Sequence, residues 1–451
     1  MYSLTMIENK SLIMKKVKKD NMNNGGAYTR KKAVEILIEI LNNKKPLDSA
    51  YEISTKKSSH FSKLANEDKS FCRLLVSTTL RNLTSIDYLL TKFLSKPIDK
   101  TPLKVLMILR ISIAQSFFLK TPDHAVVNTS VELCGKNWKG LINGVSREIL
   151  RNKEKAEKYL NESDKVPYWL LNKWRRDWAK NYNEIISAHL FLNPPIDIYV
   201  KNNTDQWAKK LNGKKITDNS IRLHGPGLIS QLEGYEEGEW WVQDYSSQIP
   251  VTLLNIKPED EVLDLCAAPG GKTAQLISLG AKVTSIDDNK KRILRMEQNL
   301  KRLNYKSNIR NENIKKFSTE KTWSKIILDA PCSSTGTLRK NPEIIHQKKE
   351  SDIFSLAKLQ SDLLDASWGL LKENGILIYC TCSLEKEEGE YQIESFLKRK
   401  KDSVLDKINT QEIDKKLKIL DKNKWLRIFP NSLDFNGGND GFFIARIKKI
   451  A

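Results

Sequence analysis

The sequence predicts a multidomain protein in which an all-α bundle precedes a small α/β connector and a doubly wound α/β domain. Three observations carry this expectation. The chain has 451 residues, more than one core usually organises at roughly 150 residues per domain. From about residue 29 to 153 the apolar residues follow helical spacing with little strand-like alternation. From residue 261 onward short apolar runs alternate with amphipathic helices, the pattern of a mostly parallel sheet covered on both faces. The expected divisions are a disordered basic tail over 1–28, the helical domain over 29–153, the connector over 154–239 and the α/β domain over 240–451.

The first 24 residues are polar, lysine-rich around 15–19, and lack the apolar core of a signal peptide. The first helix is marked by Ala33, Ile36, Leu37, Ile40 and Leu41 on one face, with Thr29 as its expected cap. Further helices are expected around 71–83, 103–118, 126–133 and 141–150, and 161–167 reads as a polar linker. In the next segment Trp174 and Trp178 stand four apart beside Lys173, Arg175 and Arg176, with Trp169 before them; core packing is the preferred reading over base stacking. Pro194-Pro195 ends that helix. Strands are expected at 262–266, 282–286, 307–310, 325–329, 375–380 and 441–447, with a helix over 353–372 closed by Asn374-Gly375.

A net charge of +21 suits a polyanionic partner such as RNA, although the abundance of lysine, asparagine and isoleucine also fits a compositionally biased genome. Six cysteines are too sparse for a disulfide framework, so a reducing cytosol is expected. The most apolar stretch, 105–119, is broken by Arg110 and Gln115. A soluble, cytoplasmic, monomeric protein without membrane or metal partners is expected.

The turn Asp264-Leu265-Cys266-Ala267-Ala268-Pro269-Gly270-Gly271-Lys272-Thr273 follows the first strand of the α/β domain and suits a nucleoside cofactor, with Gly270 and Gly271 allowing close backbone approach. A phosphate-binding P-loop is disfavoured because its first glycine is Cys266 here. Asp287 ends the second strand, where such folds bind ribose hydroxyls, and Asp288 is the candidate cap of the next helix. Asp264 is expected to orient the loop or the amino-acid part of the cofactor.

Two cysteines stand at strand ends in short motifs, Asp329-Ala330-Pro331-Cys332 and Thr381-Cys382-Ser383. Cytosine C5 is a poor nucleophile until a nucleophile adds at C6, and a second group must then help the C5 proton and the enzyme sulfur to leave; two thiols can divide that work. A free thiol titrates near about 8.5 and needs help to ionise. Ser383 is expected to cap a helix near Leu384, placing Cys382 at the positive end of a helix dipole, and Lys272 to add positive charge. Asp329 is placed to hydrogen-bond the polar edge of the pyrimidine, and Pro331 to stiffen the turn. Cys72, Cys134, Cys266 and Cys380 read as core cysteines. Zinc is disfavoured because Cys380 and Cys382 have C-x-C spacing and the histidines do not cluster.

These motifs resemble the Sun (RsmB-type) family of RNA cytosine-C5 methyltransferases. The resemblance runs from Thr29 to Lys449 and includes Glu237-Gly238, Gln243-Asp244, Ser246-Ser247-Gln248, Leu356-Ala357-Lys358-Leu359-Gln360 and Asp440-Gly441-Phe442-Phe443. It implies a Rossmann-like methyltransferase domain, S-adenosyl-L-methionine as cofactor, Cys382 as nucleophile and Cys332 as the group that assists release. The segments Leu109-Arg110, Pro122-Asp123-His124-Ala125-Val126-Val127-Asn128 and Asn143-Gly144-Val145-Ser146-Arg147 are similar to the antitermination factor NusB. That pairing implies an enzyme of 16S rRNA rather than of tRNA, with His124 and Asn128 holding a turn. The chain departs from the family pattern at Asn311-Glu312-Asn313, where Glu312 takes the place of an adenine-side aspartate, and at Lys386, Gly389 and Tyr199. The competing classes are a non-catalytic RNA-binding assembly or antitermination factor, which the intact cysteine motifs oppose, and a DNA cytosine methyltransferase, which would exchange the roles of the two cysteines.

Overall fold

The structure, a computed structural model, describes residues 25–56, 61, 63–191, 193–413, 425–433 and 437–451, so the expected tail up to residue 24 lies outside the described residues. The chain divides into two compact units between Lys165 and Val166.

The first unit is helical: α1 (Gly25–Leu41), α2 (Leu47–Lys56), α3 (Asn66–Arg81), α4 (Leu83–Phe93), α5 (Leu103–Ile113), α6 (Asp123–Leu133), α7 (Lys139–Arg151) and α8 (Lys153–Glu162). The face of α1 that carries Ala33, Ile36, Leu37 and Ile40 is buried against α3 and α5, in a core that includes Leu75 and Ile108 and to which α7 adds Ile142. Thr29 does not cap α1; the helix starts four residues earlier and Thr29 is buried within it. The unit extends beyond the expected boundary at 153 because α8 buries Ala156 and Leu160 in the same core. Arg110, which interrupts the most apolar helix, is neutralised by a two-pronged pair with Asp87 at 2.8 and 2.6 Å. His124 and Asn128 lie exposed on α6 rather than holding a turn.

The second unit opens with α9 (Tyr168–Asp177) and α10 (Tyr182–His189). A four-stranded antiparallel sheet follows, ordered β2 (Lys214–Thr217), β3 (Ser220–Leu223), β1 (Ile196–Val200), β4 (Trp240–Val242), with α11 (Thr204–Lys210) between β1 and β2 in sequence. The larger sheet has eight strands: β10 (Ser403–Leu405), β12 (Phe442–Lys449), β9 (Leu371–Thr381), β8 (Trp323–Asp329), β5 (Glu261–Leu265), β6 (Lys282–Asp287) and β7 (Asn308–Asn311) in spatial order, with β11 (Leu426–Ile428) beside β12. Strands β7, β6, β5, β8 and β9 are parallel, β12 runs antiparallel to β9, and β10 and β11 pair antiparallel with β12.

Alternation along each strand feeds two cores. Val262, Ile327, Ile378 and Cys380 face α12 (Tyr245–Thr252) and α13 (Gly271–Ser278). Leu263, Ile326, Leu328, Leu377 and Tyr379 face α16 (Glu350–Gly369) and α17 (Glu390–Arg399); α14 (Lys290–Arg302) lies between β6 and β7 in sequence, and the short α15 (Ile344–Gln347) precedes α16. Helix α16 ends three residues earlier than expected, because Leu371 already pairs with Trp323; Asn374, with φ of 60°, sits inside β9. The short strands β10 and β11 were not expected.

Helix α9 settles the tryptophan question in favour of packing. Trp174 is fully buried with its indole N–H on Glu385 Oε1 at 3.1 Å, and Trp178, just past the helix, donates to the Leu384 carbonyl at 2.9 Å. Lys173 Nζ reaches Glu387 Oε1 at 2.5 Å. Helix α9 therefore grips the loop that follows β9.

Two predictions follow from this packing. Asp197 and Arg222 are both fully buried and pair at 2.7 and 2.9 Å, and Asp197 also accepts the Tyr245 backbone N–H at 3.1 Å. Asp197→Ala should cost about 3–5 kcal/mol in urea unfolding followed by tryptophan fluorescence, and adding Arg222→Met should recover most of it. An undiminished midpoint in the single variant would contradict this. Burial pushes the Glu385 carboxyl up to about 7 from its ordinary value of 4.5, against the opposing effect of Lys173. The folded state thus holds this proton more tightly than the unfolded chain, so its contribution is complete below about pH 4.5 and is lost as pH rises through about 7. Glu385→Gln should flatten the fall of melting temperature across that window; an unchanged slope would exclude Glu385 as its source.

Candidate active site

The strand order reverses between β5 and β8: the chain runs outward through β6 and β7, then returns to lay β8 beside β5. Open α/β sheets bind ligands at the carboxyl ends of strands beside such a reversal. The turn from Cys266 to Gly271 lies at that edge. Cys266 has φ of 58° and Gly270 φ of 96°, and a Cβ on Gly270 would meet Met296 Cγ at 2.8 Å. The turn can therefore take this left-handed bend against Met296 only with glycine at 270.

Carboxylates surround the turn. Asp264 is buried, accepts from Thr273 Oγ1 at 2.5 Å through Oδ2, and leaves Oδ1 without a partner among the described residues. Burial pushes its carboxyl up to about 7. Asp287 accepts the Ala268 N–H at 3.2 Å and the Asn289 N–H at 3.0 Å, bracing the turn from β6. The cap of α14 is Asn289, which accepts from Lys291 and Arg292 N–H at 3.1 Å; Asp288 does not take that role. Glu312 follows β7, with its backbone N–H on the Asp287 carbonyl at 3.2 Å and its exposed side chain 3.5 Å from Arg310.

The thiols converge at the neighbouring strand ends. Asp329 and Cys380 are direct partners across β8 and β9, so the following residues leave the sheet side by side. Cys332 Sγ and Cys382 Sγ come within 3.5 Å. Lys272, at the start of α13, donates to Asp329 Oδ2 at 2.8 Å, while the Cys380 S–H donates to Asp329 Oδ1 at 3.5 Å. Burial is the largest single influence on the Lys272 ammonium and opposes it, but the charge and hydrogen bond of Asp329 together with the nearby Cys380 and Cys382 raise the Lys272 pKa above the ordinary lysine value. The hydrogen bond with Cys382, then burial, push the Cys332 thiol well up. Burial and Asp329 do the same to Cys380, and burial, with Asp287, to Cys266.

One expectation fails here. No helix begins at Leu384; a short 3-10 turn spans Lys386–Glu388 and α17 starts at Glu390. Ser383 instead accepts the Glu385 N–H at 2.9 Å and donates to Glu388, so a helix dipole is not what faces Cys382. Lys272 is the cation on this side of the site. Sequence reasoning also missed Ser334, with φ of 60°, whose Oγ lies 3.5 Å from Cys382 Sγ and 3.9 Å from Cys332 Sγ. Its position two residues after Cys332 was the available signal. Likewise missed was Arg339, buried between Asp244 and Asp440, which ties three distant segments behind the thiols.

Among the described residues, no group of three or more His, Cys, Asp and Glu could hold a metal ion, and no helix is long and apolar enough to cross a membrane.

The family described as 16S rRNA methyltransferase RsmB/F matches residues 251–448, and the NusB family matches residues 27–176. The ribosomal RNA small subunit methyltransferase B of Cronobacter sakazakii is 32% identical over 409 residues, covering 86% of this chain and 92% of that one. Its namesake from Escherichia fergusonii is 33% identical over 411 residues, with the same coverage of 86% and 92%. The crystal structure of PH0851 shares the fold at a TM-score of 0.75 and 22% identity, over 93% of this chain and 99% of that one. A methyltransferase homologue from Pyrococcus horikoshii gives 0.52 at 25% identity, over 67% and 98% of the two chains. With a third of its residues shared with these relatives over most of its length, the chain belongs to the RsmB/F family of 16S rRNA methyltransferases.

Proposed function

We propose that this protein methylates C5 of a cytidine in 16S rRNA, with S-adenosyl-L-methionine as donor and a transient bond between Cys382 Sγ and cytosine C6. The observation that carries this reading is the 3.5 Å approach of two thiols at the strand ends next to the glycine turn. The cofactor fits the residues present: Gly270 lets the turn bend, the buried Asp264 Oδ1 has no partner among the described residues, and Asp287 retains lone pairs for ribose hydroxyls. Cys266, Ala267, Ala268, Pro269, Gly270 and Gly271 would form its floor, with Asp264, Asp287, Asp329, Lys272 and Glu312 around it. The bound cofactor supplies an electrophilic methyl group.

The chain's own residues do the rest. Cys382 adds to C6 and makes C5 electron-rich enough to be methylated. Asp329, held by Lys272 and Cys380, presents its carboxyl to the polar edge of the base. Cys332, whose pKa is raised, holds its proton while Cys382 attacks; once that proton has passed to solvent, its strongly basic thiolate takes the C5 proton as the C6–Sγ bond breaks and Cys382 leaves as a thiolate. A base must leave its stack to reach such a site, which favours rRNA that is free or in an early assembly intermediate. All these groups come from one chain, so a monomer acting in the cytoplasm suffices.

Cys382→Ala should abolish both methylation of a 16S rRNA transcript and formation of an RNA–protein adduct. Cys332→Ala should accumulate an adduct that survives denaturation in gel electrophoresis. The reverse pattern would exchange the two roles, and bisulfite sequencing of the product identifies the modified cytidine.

A further inference from the structure

We propose that Glu388 is a positioning residue that holds the two thiol loops at working distance by bridging the residues that follow each cysteine. The inference rests on the reading above that both thiols act on one base. Glu388 is fully buried. Its Oε1 accepts the Ser333 N–H at 2.9 Å and Gln360 Nε2 at 3.0 Å. Its Oε2 accepts from Ser333 Oγ and, at 2.5 Å, from Ser383 Oγ. Ser333 follows Cys332 and Ser383 follows Cys382, so one carboxylate ties together the two segments that carry the sulfurs.

The backbone around Glu388 is fixed with equal care. Its carbonyl accepts from Tyr379 Oη at 2.9 Å and Thr381 Oγ1 at 3.2 Å, both on β9. Gln360 of α16 uses the same amide group to hold the Pro331 carbonyl at 2.9 Å, and accepts from Tyr379 Oη at 3.1 Å. The nearby Arg427 is engaged elsewhere, with Glu390 at 2.6 Å and the Ser383 carbonyl. Neutral donors thus satisfy the carboxylate, and they are the donors flanking the thiols.

The bridge matters unequally to the two sides. The Cys382 loop has further anchors outside the Cys332 segment: Trp178 and Trp174 hold Leu384 and Glu385. Beyond Cys332, the Ser333 backbone N–H is spent on Glu388. Removing the carboxylate should therefore displace Cys332 more than Cys382, so attack survives better than release.

The test is steady-state kinetics of the full chain on a 16S rRNA transcript. Glu388→Ala should lower kcat by about 100-fold, the scale of a misplacement near 1 Å, with KM for S-adenosylmethionine unchanged. A denaturation-resistant RNA–protein adduct should accumulate. Glu388→Gln should recover most of the rate, because its amide still accepts from Ser333 and Gln360 and can donate to the two hydroxyls. Phenylarsine oxide, which bridges two adjacent thiols with loss of water, reports the geometry without RNA: capture should weaken in Glu388→Ala and vanish in the Cys332→Ala control. Unchanged kcat, a parallel loss of cofactor affinity, intact capture, or a Gln variant no better than Ala would each overturn the proposal. If Glu388→Ala does not fold, the double variant Ser333→Ala/Ser383→Ala decides by the same readouts. An adduct from Cys332→Ala but not from Glu388→Ala sinks the bridge alone, whereas its absence from both sinks the two-thiol reading.

Discussion

The parallel pairing of β8 with β9 governs everything at this site. Asp329 and Cys380 stand opposite one another, and the Ala330 N–H closes on the Cys380 carbonyl at 3.0 Å just where the strands end. Adjacent strands lie roughly 5 Å apart, so two chains leaving the sheet together have little freedom to separate within two or three residues. That is why Cys332 and Cys382, 50 positions apart in sequence, approach to 3.5 Å. A slip of one residue in this register would turn every alternate side chain to the other face, sending Tyr379 into the wrong core and Asp329 away from Lys272. The two cores above and below the sheet are thus what hold the chemistry in place.

The same constraint explains what was legible in the sequence. Strands buried on both faces must be apolar along most of their length, which made β5, β6, β8, β9 and β12 readable as short apolar runs. Cysteines just beyond such runs stand out because a strand end is where side chains meet ligand. Strands β10 and β11 have three residues each and owe their form to pairing with β12, a long-range contact that no local pattern announces. Ser383 had the composition of a cap, yet Glu388 captures its hydroxyl, and local propensity lost to a buried carboxylate. Glu388 itself sits in the run Glu385-Lys386-Glu387-Glu388, which reads as solvated surface; only the fold shows that Glu385 and Glu388 are buried while Glu387 meets Lys173.

A recurring feature of the loops behind the thiols is the buried charge pair. Arg339 and Lys340 face Asp244 and Asp440, Arg427 faces Glu390, and Lys173 faces Glu387. Such pairs give up hydration that apolar residues would not, so they are weak evidence of added stability. Their value here is directional. The loops beyond the strand ends bury Leu338 and Leu384 in a small core with Trp174 and Phe429, but apolar packing is non-directional. Hydrogen-bonded charges instead specify one arrangement. The Gly336 N–H holds the Cys382 carbonyl, and the Gly336 carbonyl accepts from Gly441 at 2.8 Å, one residue from Asp440.

That arrangement also bears on the inequality of the two sulfurs. At 3.5 Å a second negative charge would be strongly opposed by the first, so the pair carries at most one. The contact with Cys382, burial and the Glu388 charge all keep the proton on Cys332. A pair built this way has one sulfur that keeps its proton while the other bonds to the base, which is the asymmetry that addition followed by elimination requires. Two equivalent thiols would compete for the same carbon. The Glu388 charge, which bears on Cys332, resolves that competition through the fold rather than through any difference between the cysteines themselves.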